Sequence, residues 1–347
     1  MLEFLYMSMN KTLYNKDEKF YKSKNPKISI IIATLNAERF INNTLFSIQN
    51  QNFKDVEIIV VDDYSIDNTI NVVKELMEKD PRIVLFQNEE NKGTLYTKTK
   101  GVLNSNGKYV MILDQDDMYT QKDAFTTLYY YAKQNNLEIL GFSAIFSGKI
   151  PFDKPKYIHF YVETPIIYQP NIPSKMFRND GAVYREGWYI WNYIFDNELF
   201  KKTIRQIDDK FMNTKMNCFE DFILFFLLTR NAKNLKQIKR VFYNQMHLTF
   251  NNTNNALLNE KRNNFNISCL SAINYIEFLL AHTNNTVHDK KIASYELENF
   301  FLNDKCRNCQ FIKERGENIC KLFLENEFIE DNVKMKIKNF LNEISKI

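Results

Sequence analysis

The chain has 347 residues, enough for one large domain or two small ones. With 44% hydrophobic and 25% charged residues it has the composition of a soluble globular protein, and no run approaches the roughly 20 apolar residues that cross a bilayer. A net charge of +4 suits a small anionic ligand and falls short of a nucleic-acid-binding surface. The N-terminus does not place an apolar region after a basic one, so we predict a cytoplasmic protein without a transmembrane segment.

The first half of the chain alternates short apolar runs with amphipathic segments. We predict buried strands at 28–33, 56–61, 82–86, 108–113 and 137–145. The predicted helices cover 37–50, a stretch capped by Asp67, and 94–104. Strands that are apolar on both faces and alternate with helices indicate an α/β fold with a mostly parallel, doubly wound, Rossmann-like sheet.

The second half is less regular. Residues 147–183 are rich in Pro, Tyr and Lys and predict long loops that contact a substrate. A partly helical segment at 184–202, a hydrophobic helix at 219–230 and a short strand at 238–243 follow. The resulting division is a polar lead-in at 1–26, an α/β domain at 27–250 and a helical region at 251–347. That helical region is a candidate surface for oligomerisation or membrane contact.

Polar residues gather where the predicted strands end. They are Thr34, Asn36, Asp62, Asp63, Asp114, Asp116 and Asp117. Because parallel sheets bind ligands beyond the carboxyl ends of their strands, these side chains form one polar wall. The three carboxylates within 114–117 repel one another, and Mn²⁺ or Mg²⁺ would neutralise them. A solvated acidic turn that caps the next helix is the alternative interpretation.

A metal at a strand end suggests a nucleotide diphosphate as the ligand. The sequence contains neither G-x-x-x-x-G-K-[ST] nor G-x-G-x-x-G, which argues against a kinase or a dinucleotide-binding enzyme. The diphosphate must then be held by metal and basic side chains. Cys306 and Cys309 form a C-x-x-C pair with Cys320 beyond it, but the fourth ligand of a zinc site is missing.

Four motifs, in this order, resemble family 2 glycosyltransferases, which have the GT-A fold. They are the segment 28–40, Val60-Val61-Asp62-Asp63-Tyr64-Ser65-Ile66-Asp67-Asn68-Thr69, Asn91-Lys92-Gly93 and Leu113-Asp114-Gln115-Asp116-Asp117. The resemblance covers about 27–140 and extends to Phe219-Glu220-Asp221. It implies a nucleotide-sugar half at 27–140, an acceptor half at 141–250, and inverting, metal-dependent transfer of a hexosyl or N-acetylhexosaminyl group from a UDP-sugar to a glycan or other hydroxyl acceptor.

The resemblance also implies roles for single residues. The nucleotide sugar would be bound by Thr34, Asn36, Glu38, Asp62, Asp63, Lys92, Gly93, Lys98, Asp114 and Gln115. The metal ligands would be Asp116, Asp114 and His247, and the acceptor would contact Trp188, Trp191 and Glu220. Asp221 would be the general base that deprotonates the acceptor hydroxyl. Structural alternatives stand beside these roles, because Glu220 and Asp221 also suit a helix N-terminus and tryptophans are often buried.

Several positions depart from the family pattern. Leu35 replaces an aromatic residue, Tyr64 a glycine, and Lys98 an arginine, which puts the identity of the nucleotide in question. A sugar-phosphate nucleotidyltransferase is one alternative function, although its usual glycine-rich loop is absent from residues 34–39. A catalytically inactive nucleotide-sugar-binding protein is the other, and the intact acids argue against it. The sequence identifies neither the sugar nor the acceptor.

Overall fold

A computed structural model describes residues 20–147, 157–159, 163–176, 189–216, 219–246 and 331–344, and positions 274, 278, 279, 320, 321 and 324. His247, Trp188, Cys306 and Cys309 lie outside these residues, as do most of the 1–26 lead-in and most of the 251–347 region. The described positions of that last region are helical, as predicted.

The described strands form one mixed sheet. They are β1 (Ile28–Thr34), β2 (Val56–Asp62), β3 (Ile83–Gln87), β4 (Tyr109–Ile112), β5 (Met118–Tyr119), β6 (Ile139–Ser147), β7 (Tyr157–His159), β8 (Ile167–Tyr168), β9 (Tyr193–Asp196) and β10 (Asn234–Met246). Their order is β3-β2-β1-β4-β9-β6-β10-β5, with β7 on β6 and β8 on β10. Strands β1 to β4 are parallel, and β6 and β10 are parallel to each other. The predicted α/β fold with a mostly parallel sheet is confirmed.

Helices cover both faces of this sheet. They are α1 (Ile41–Gln49), α2 (Thr69–Lys79), α3 (Thr94–Leu103), α4 (Ala124–Gln134), α5 (Asn171–Met176), α6 (Asn197–Ile204), α7 (Asp209–Met212), α8 (Glu220–Asn231) and α9 (Asp331–Ile344). Successive strand residues point to opposite faces, so one strand serves two cores. Ile30 and Ile32 of β1 join the core beneath α1, α2 and α4, whereas Ile31 joins the core beneath α3, α6 and α8.

The second half differs most from the sequence prediction. The segment predicted as partly helical at 184–202 contains a 3₁₀ turn, Ile190–Asn192, then β9 and α6. Strand β9 runs antiparallel to both of its neighbours, β4 and β6, in the middle of the sheet. Its four residues are too few to show a period against the aromatic residues around them. Strand β10 is longer than the predicted 238–243, and the predicted loops at 147–183 include β7, β8 and α5.

Helix α3 packs unusually close to β1, and Gly101 permits this approach. A Cβ atom at position 101 would lie 2.4 Å from Ile31 Cγ2 and 3.2 Å from Val61 Cγ2. Lys98 lies one helical turn before Gly101, on the same face of α3. The glycine therefore sets how deeply Lys98 enters the region beyond the strand ends.

We predict that Gly101→Ala lowers the free energy of unfolding by about 1–3 kcal/mol, because Ile31 must shift in a packed core. Chemical denaturation would measure the change. Leu103→Ala on the same helix is the control, since Leu103 is 41% exposed and its truncation leaves no cavity. A Gly101→Ala variant as stable as Leu103→Ala would contradict the close packing.

Candidate active site

A pocket of about 420 Å³ opens beyond the carboxyl ends of β1, β2 and β4. Its lining is polar and acidic, and comes from five separate segments of the chain. The lining residues are Ala33, Thr34, Leu35, Asp63, Thr94, Thr97, Lys98, Asp114, Gln115, Asp116, Glu220 and Asp221. A volume of this size accommodates a ligand as large as a nucleotide.

Lys98 is the centre of this pocket. Its Nζ atom lies 2.8 Å from Asp221 Oδ1, 3.0 Å from Glu220 Oε1 and 3.3 Å from Asp114 Oδ1. The ammonium donates hydrogen bonds to Asp221 and Glu220, and it forms an ion pair with Asp114. The side chain is only 4% exposed. Lys98 therefore lines the pocket in contact with carboxylates, and its contact with a nucleotide sugar stays a prediction.

Glu220 and Asp221 form the first turn of α8. Phe219, directly before them, has a left-handed backbone with φ of 67°, which turns the chain into the helix. Negative side chains are favoured at this end of a helix. Burial raises the pKa of Asp221 to about 7, with Lys98 acting against the rise and the charges of Glu220 and Asp114 adding to it. A carboxylate with a pKa near neutrality is well matched to accept a proton.

The acidic turn after β4 presents Asp114 and Asp116 to the pocket. Gln115 fastens this turn to the first loop, because its Oε1 accepts a hydrogen bond from the Leu35 amide at 2.7 Å. Asp117 differs from the other two acids, since it is only 2% exposed and accepts a hydrogen bond from the Tyr243 hydroxyl at 2.7 Å. The turn therefore has two acids facing the pocket and one facing the core.

Asp63 organises the loop before α3. Its carboxylate accepts hydrogen bonds from the amides of Lys92 and Gly93 at 2.8 and 2.9 Å, and from Asn88 Nδ2 at 2.8 Å. The Lys92 ammonium pairs with Glu90. The amides of Lys92 and Gly93 bind Asp63, and the direct contact of these two residues with a nucleotide sugar stays a prediction. Asp62 accepts from both the amide and the hydroxyl of Ser65 and stabilises the turn after β2.

Asn36 and Glu38 fasten the loop after β1 to the loop after β2. The Asn36 amide donates to Ser65 Oγ, and its side-chain oxygen accepts from the Ile66 amide, both at 2.9 Å. Glu38 Oε2 accepts from the Asn68 amide at 3.0 Å. Neither residue lines the pocket. They hold the two loops together, and their contact with a nucleotide sugar stays a prediction.

Thr34 has a polar atom without a partner. The residue is 2% exposed, and its Oγ1 makes no hydrogen bond within the described part of the chain. Because Thr34 lines the pocket and a buried unsatisfied hydroxyl costs free energy, this atom is suited to a ligand.

Trp191 belongs to the core rather than to an acceptor surface. It is 1% exposed and stacks between Tyr189 and Tyr243, with ring centroids 5.0 and 4.4 Å away. The expectation that it offers an exposed platform for a sugar is therefore wrong. Glu220, the other described acceptor candidate, does line the pocket.

Two carboxylates at the pocket, those of Asp114 and Asp116, have the oxygen chemistry that Mg²⁺ and Mn²⁺ prefer. In the described ranges no group of three or more His, Cys, Asp and Glu side chains is arranged to hold a metal ion. A metal that is also bound by phosphate oxygens needs only one or two protein carboxylates. The donor set therefore fits a cation that arrives with a diphosphate.

Sequence reasoning missed three residues of this region. Thr94 and Thr97 line the pocket, and Thr97 Oγ1 donates to the Gly93 carbonyl at 2.8 Å. Their spacing of three, ending one residue before Lys98, indicates a shared helix face and was the available signal. Tyr243 reaches the acidic turn from β10, 126 residues from Asp117, and no local pattern marks it.

Solved structures of TarS from S. aureus share the architecture of this chain. The TarS fragment from S. aureus in complex with UDP-GlcNAc matches with a TM-score of 0.61 at 16% identity, over 92% of this chain and 88% of that one. The UDP complex of the same fragment matches with a TM-score of 0.56 at 18% identity, over 92% and 90%. At these identities the likeness shows the fold.

The chain belongs to glycosyl transferase family 2, whose sequence profile matches residues 29–207. The GalNAc(5)-diNAcBac-PP-undecaprenol beta-1,3-glucosyltransferase of Campylobacter jejuni is 39% identical over 117 residues, which are 33% of this chain and 38% of that protein. The poly(ribitol-phosphate) beta-N-acetylglucosaminyltransferase TarP of Staphylococcus aureus is 36% identical over 120 residues, which are 33% and 35%. The chain thus spans little more than a third of the length of these relatives. Among the described residues, no helix combines the length and the apolarity needed to cross a bilayer.

The raised pKa of Asp221 predicts how the stability of the protein changes with pH. The folded protein holds this proton more tightly than the unfolded chain, whose carboxyl has a pKa near 3.8. The stabilising contribution is therefore complete below about pH 4 and is lost as the pH rises through about 7. Asp221→Asn has no such proton to lose, so its stability relative to the wild type is expected to rise between pH 4 and pH 8.

Thermal unfolding of both proteins across this pH range would measure the difference. Asp67→Asn is the matched control, because the pKa of Asp67 is lowered: burial raises it, but hydrogen bonds from Thr69 outweigh that effect. Its stability relative to the wild type should fall as the pH rises toward 4 and should then stay constant up to pH 8. A difference for Asp221→Asn that stays constant with pH would contradict the raised pKa.

Proposed function

We propose that the protein transfers a sugar from a UDP-sugar to a hydroxyl group of a glycan or another acceptor, with inversion at the anomeric carbon and with the help of a divalent cation. The observation that carries the proposal is the bridge of Lys98 between Asp221 and Asp114. It holds an acid suited to proton acceptance and an acid of the strand-end turn within one pocket.

Asp221 is proposed as the general base. The acceptor hydroxyl would give its proton to the Asp221 carboxylate while its oxygen forms a bond to the anomeric carbon. The bond from that carbon to the diphosphate oxygen would break, and its electron pair would leave with UDP. Displacement in one step from the face opposite the leaving group inverts the configuration. Buried surroundings strengthen the proton affinity of Asp221, as its raised pKa indicates.

A cation is proposed because of the charge of the pocket. Among the described residues, five acidic side chains and one basic side chain, that of Lys98, line the pocket. Lys98 already contacts three of those acids. A diphosphate entering this lining would be repelled. Asp114 and Asp116 would hold Mn²⁺ or Mg²⁺, which supplies the positive charge that the diphosphate needs on binding and on leaving. His247, the third predicted ligand, lies outside the described residues.

UDP is proposed as the nucleotide because the neighbouring TarS structures contain UDP-GlcNAc and UDP. Thr34 supports a polar ligand at the end of β1, since its buried Oγ1 has no partner among the described residues. The named acceptors of the relatives differ, being a lipid-linked saccharide and poly(ribitol phosphate). A hexosyl or N-acetylhexosaminyl group on the donor is consistent with both names.

The proposal predicts that UDP binds with Mn²⁺ and that its affinity collapses without the cation. Calorimetric titration with UDP, with Mn²⁺ and then with chelator, would measure this. Asp221→Asn should keep the Mn²⁺-dependent binding of UDP and should slow the hydrolysis of UDP-GlcNAc by about 10²–10⁴-fold, since it removes only the base. Asp123→Asn is the control, because Asp123 is a half-exposed acid directly before α4.

Wild-type protein that binds UDP equally well in chelator would refute the metal dependence. An Asp221→Asn variant that hydrolyses UDP-GlcNAc as fast as Asp123→Asn would place the base elsewhere. Hydrolysis by the wild type would also exclude the inactive binding protein.

We predict that Thr34→Val weakens ligand binding without lowering the stability of the protein. The valine keeps the shape and removes a hydroxyl that has no partner within the described chain, so stability should not fall. UDP affinity should drop by about tenfold, the effect of one lost hydrogen bond in a buried site. Thr69→Val is the matched control, because the Thr69 hydroxyl accepts from the Ala37 amide at 2.7 Å and its loss should lower stability without weakening UDP binding directly. Unchanged UDP affinity of Thr34→Val would exclude this contact.

A further inference from the structure

The ring of Tyr243 is held in place by its aromatic neighbours, although the residue is distant in sequence from the acidic turn. It lies on β10 and is fully buried. Trp191 stacks on its ring at 4.4 Å between centroids, with the planes inclined by 16°. Tyr119, its partner in the β10–β5 register, packs edge-on at 5.7 Å. Two aromatic neighbours in different orientations therefore fix the ring, and with it the direction of the hydroxyl.

The hydroxyl of Tyr243 contacts both ends of the acidic turn. It donates to Asp117 Oδ2 at 2.7 Å and accepts from the Asp114 amide at 3.4 Å. Burial, followed by the charges of Asp117 and Asp114, raises the pKa of Tyr243 well above its usual value. The hydroxyl thus keeps its proton and stays a donor at every physiological pH.

Within the turn, the Asp117 amide donates a hydrogen bond to the Asp114 carbonyl at 3.2 Å. Its three carboxylates repel one another, which favours opening of the turn. A hydroxyl that binds the first residue through its amide and the last through its carboxylate opposes that opening. The carboxylates of Asp114 and Asp116 then keep a constant direction into the pocket.

We propose that Tyr243 is a positioning residue, whose hydroxyl clamps the turn 114–117 so that Asp114 and Asp116 are presented ready for a cation and diphosphate. The consequence for ligand binding rests on the proposed function, whereas the clamp itself does not. Tyr243 acts through the turn and touches no substrate. Trp191 contributes indirectly, by holding the tyrosine ring from its buried stack.

The chain offers a close control in Tyr119. Its hydroxyl is also buried, but has no hydrogen-bond partner within the described residues. Tyr243→Phe and Tyr119→Phe remove the same atom from two rings in contact, one bonded to the turn and one not.

Hydrogen–deuterium exchange of the unliganded protein would measure the clamp. In Tyr243→Phe the amides of 114–117 should exchange about tenfold faster, as expected for the loss of a hydrogen bond to a charged group. Tyr119→Phe should exchange at this turn like the wild type. An unchanged exchange rate at the turn in Tyr243→Phe would overturn the proposal.

Calorimetry would then test the consequence for the ligand. The dissociation constant of UDP with saturating Mn²⁺ should rise about tenfold in Tyr243→Phe and stay unchanged in Tyr119→Phe. Equal affinity of these two variants would refute the link between the clamp and the site. If the wild type itself binds no UDP with Mn²⁺, the proposed function fails, while the exchange experiment still decides the clamp.

Discussion

The contact of one buried ammonium group with three carboxylates is the interaction on which the pocket depends. Lys98 comes from α3, Asp114 from the turn after β4, and Glu220 with Asp221 from the start of α8. Without the cation, three acids from two distant segments would meet in a largely buried space, where their repulsion is strong. A buried ion cluster of this kind contributes little net stability, but removing one partner leaves uncompensated charge. The cluster is therefore better understood as the contact that holds α8 against α3 and the turn after β4.

Every other loop at the pocket is fastened in a similar way, by a polar side chain of one segment that binds the backbone of another. Asp63 holds the amides of residues 92 and 93, and Gln115 holds the Leu35 amide. Asn36 and Glu38 join the loops after β1 and β2. Loops without regular structure satisfy their backbone groups in this manner. Several acids and amides that motif reasoning assigns to a ligand thus stabilise the frame around it.

The sequence predicted the first half of the fold well, because β1 to β4 are apolar on both faces and the helices between them show a clear period. It also predicted the wall of acids at the strand ends. It did not predict that Lys98 would pair with three acids, since two of them reach it only through the approach of α8. Strand β9 and the role of Tyr243 were not predicted for another reason. Each depends on contacts with residues about 50 to 130 positions away, and no local sequence window contains both partners.

The position of β9 in the sheet affects how the chain folds during its synthesis and which segments it can exchange with relatives. Strand β4 is buried along its whole length and needs β9 as its second neighbour, yet β9 is synthesised more than 80 residues later. Until β9 is synthesised, β4 has an apolar edge without a partner strand, which is the kind of edge that promotes association between chains. A cut near residue 140 therefore cannot exchange the second half of the chain between relatives, because the first half would lose the strand that pairs with β4. A stable chimera must therefore take β9 from the same parent protein as β4.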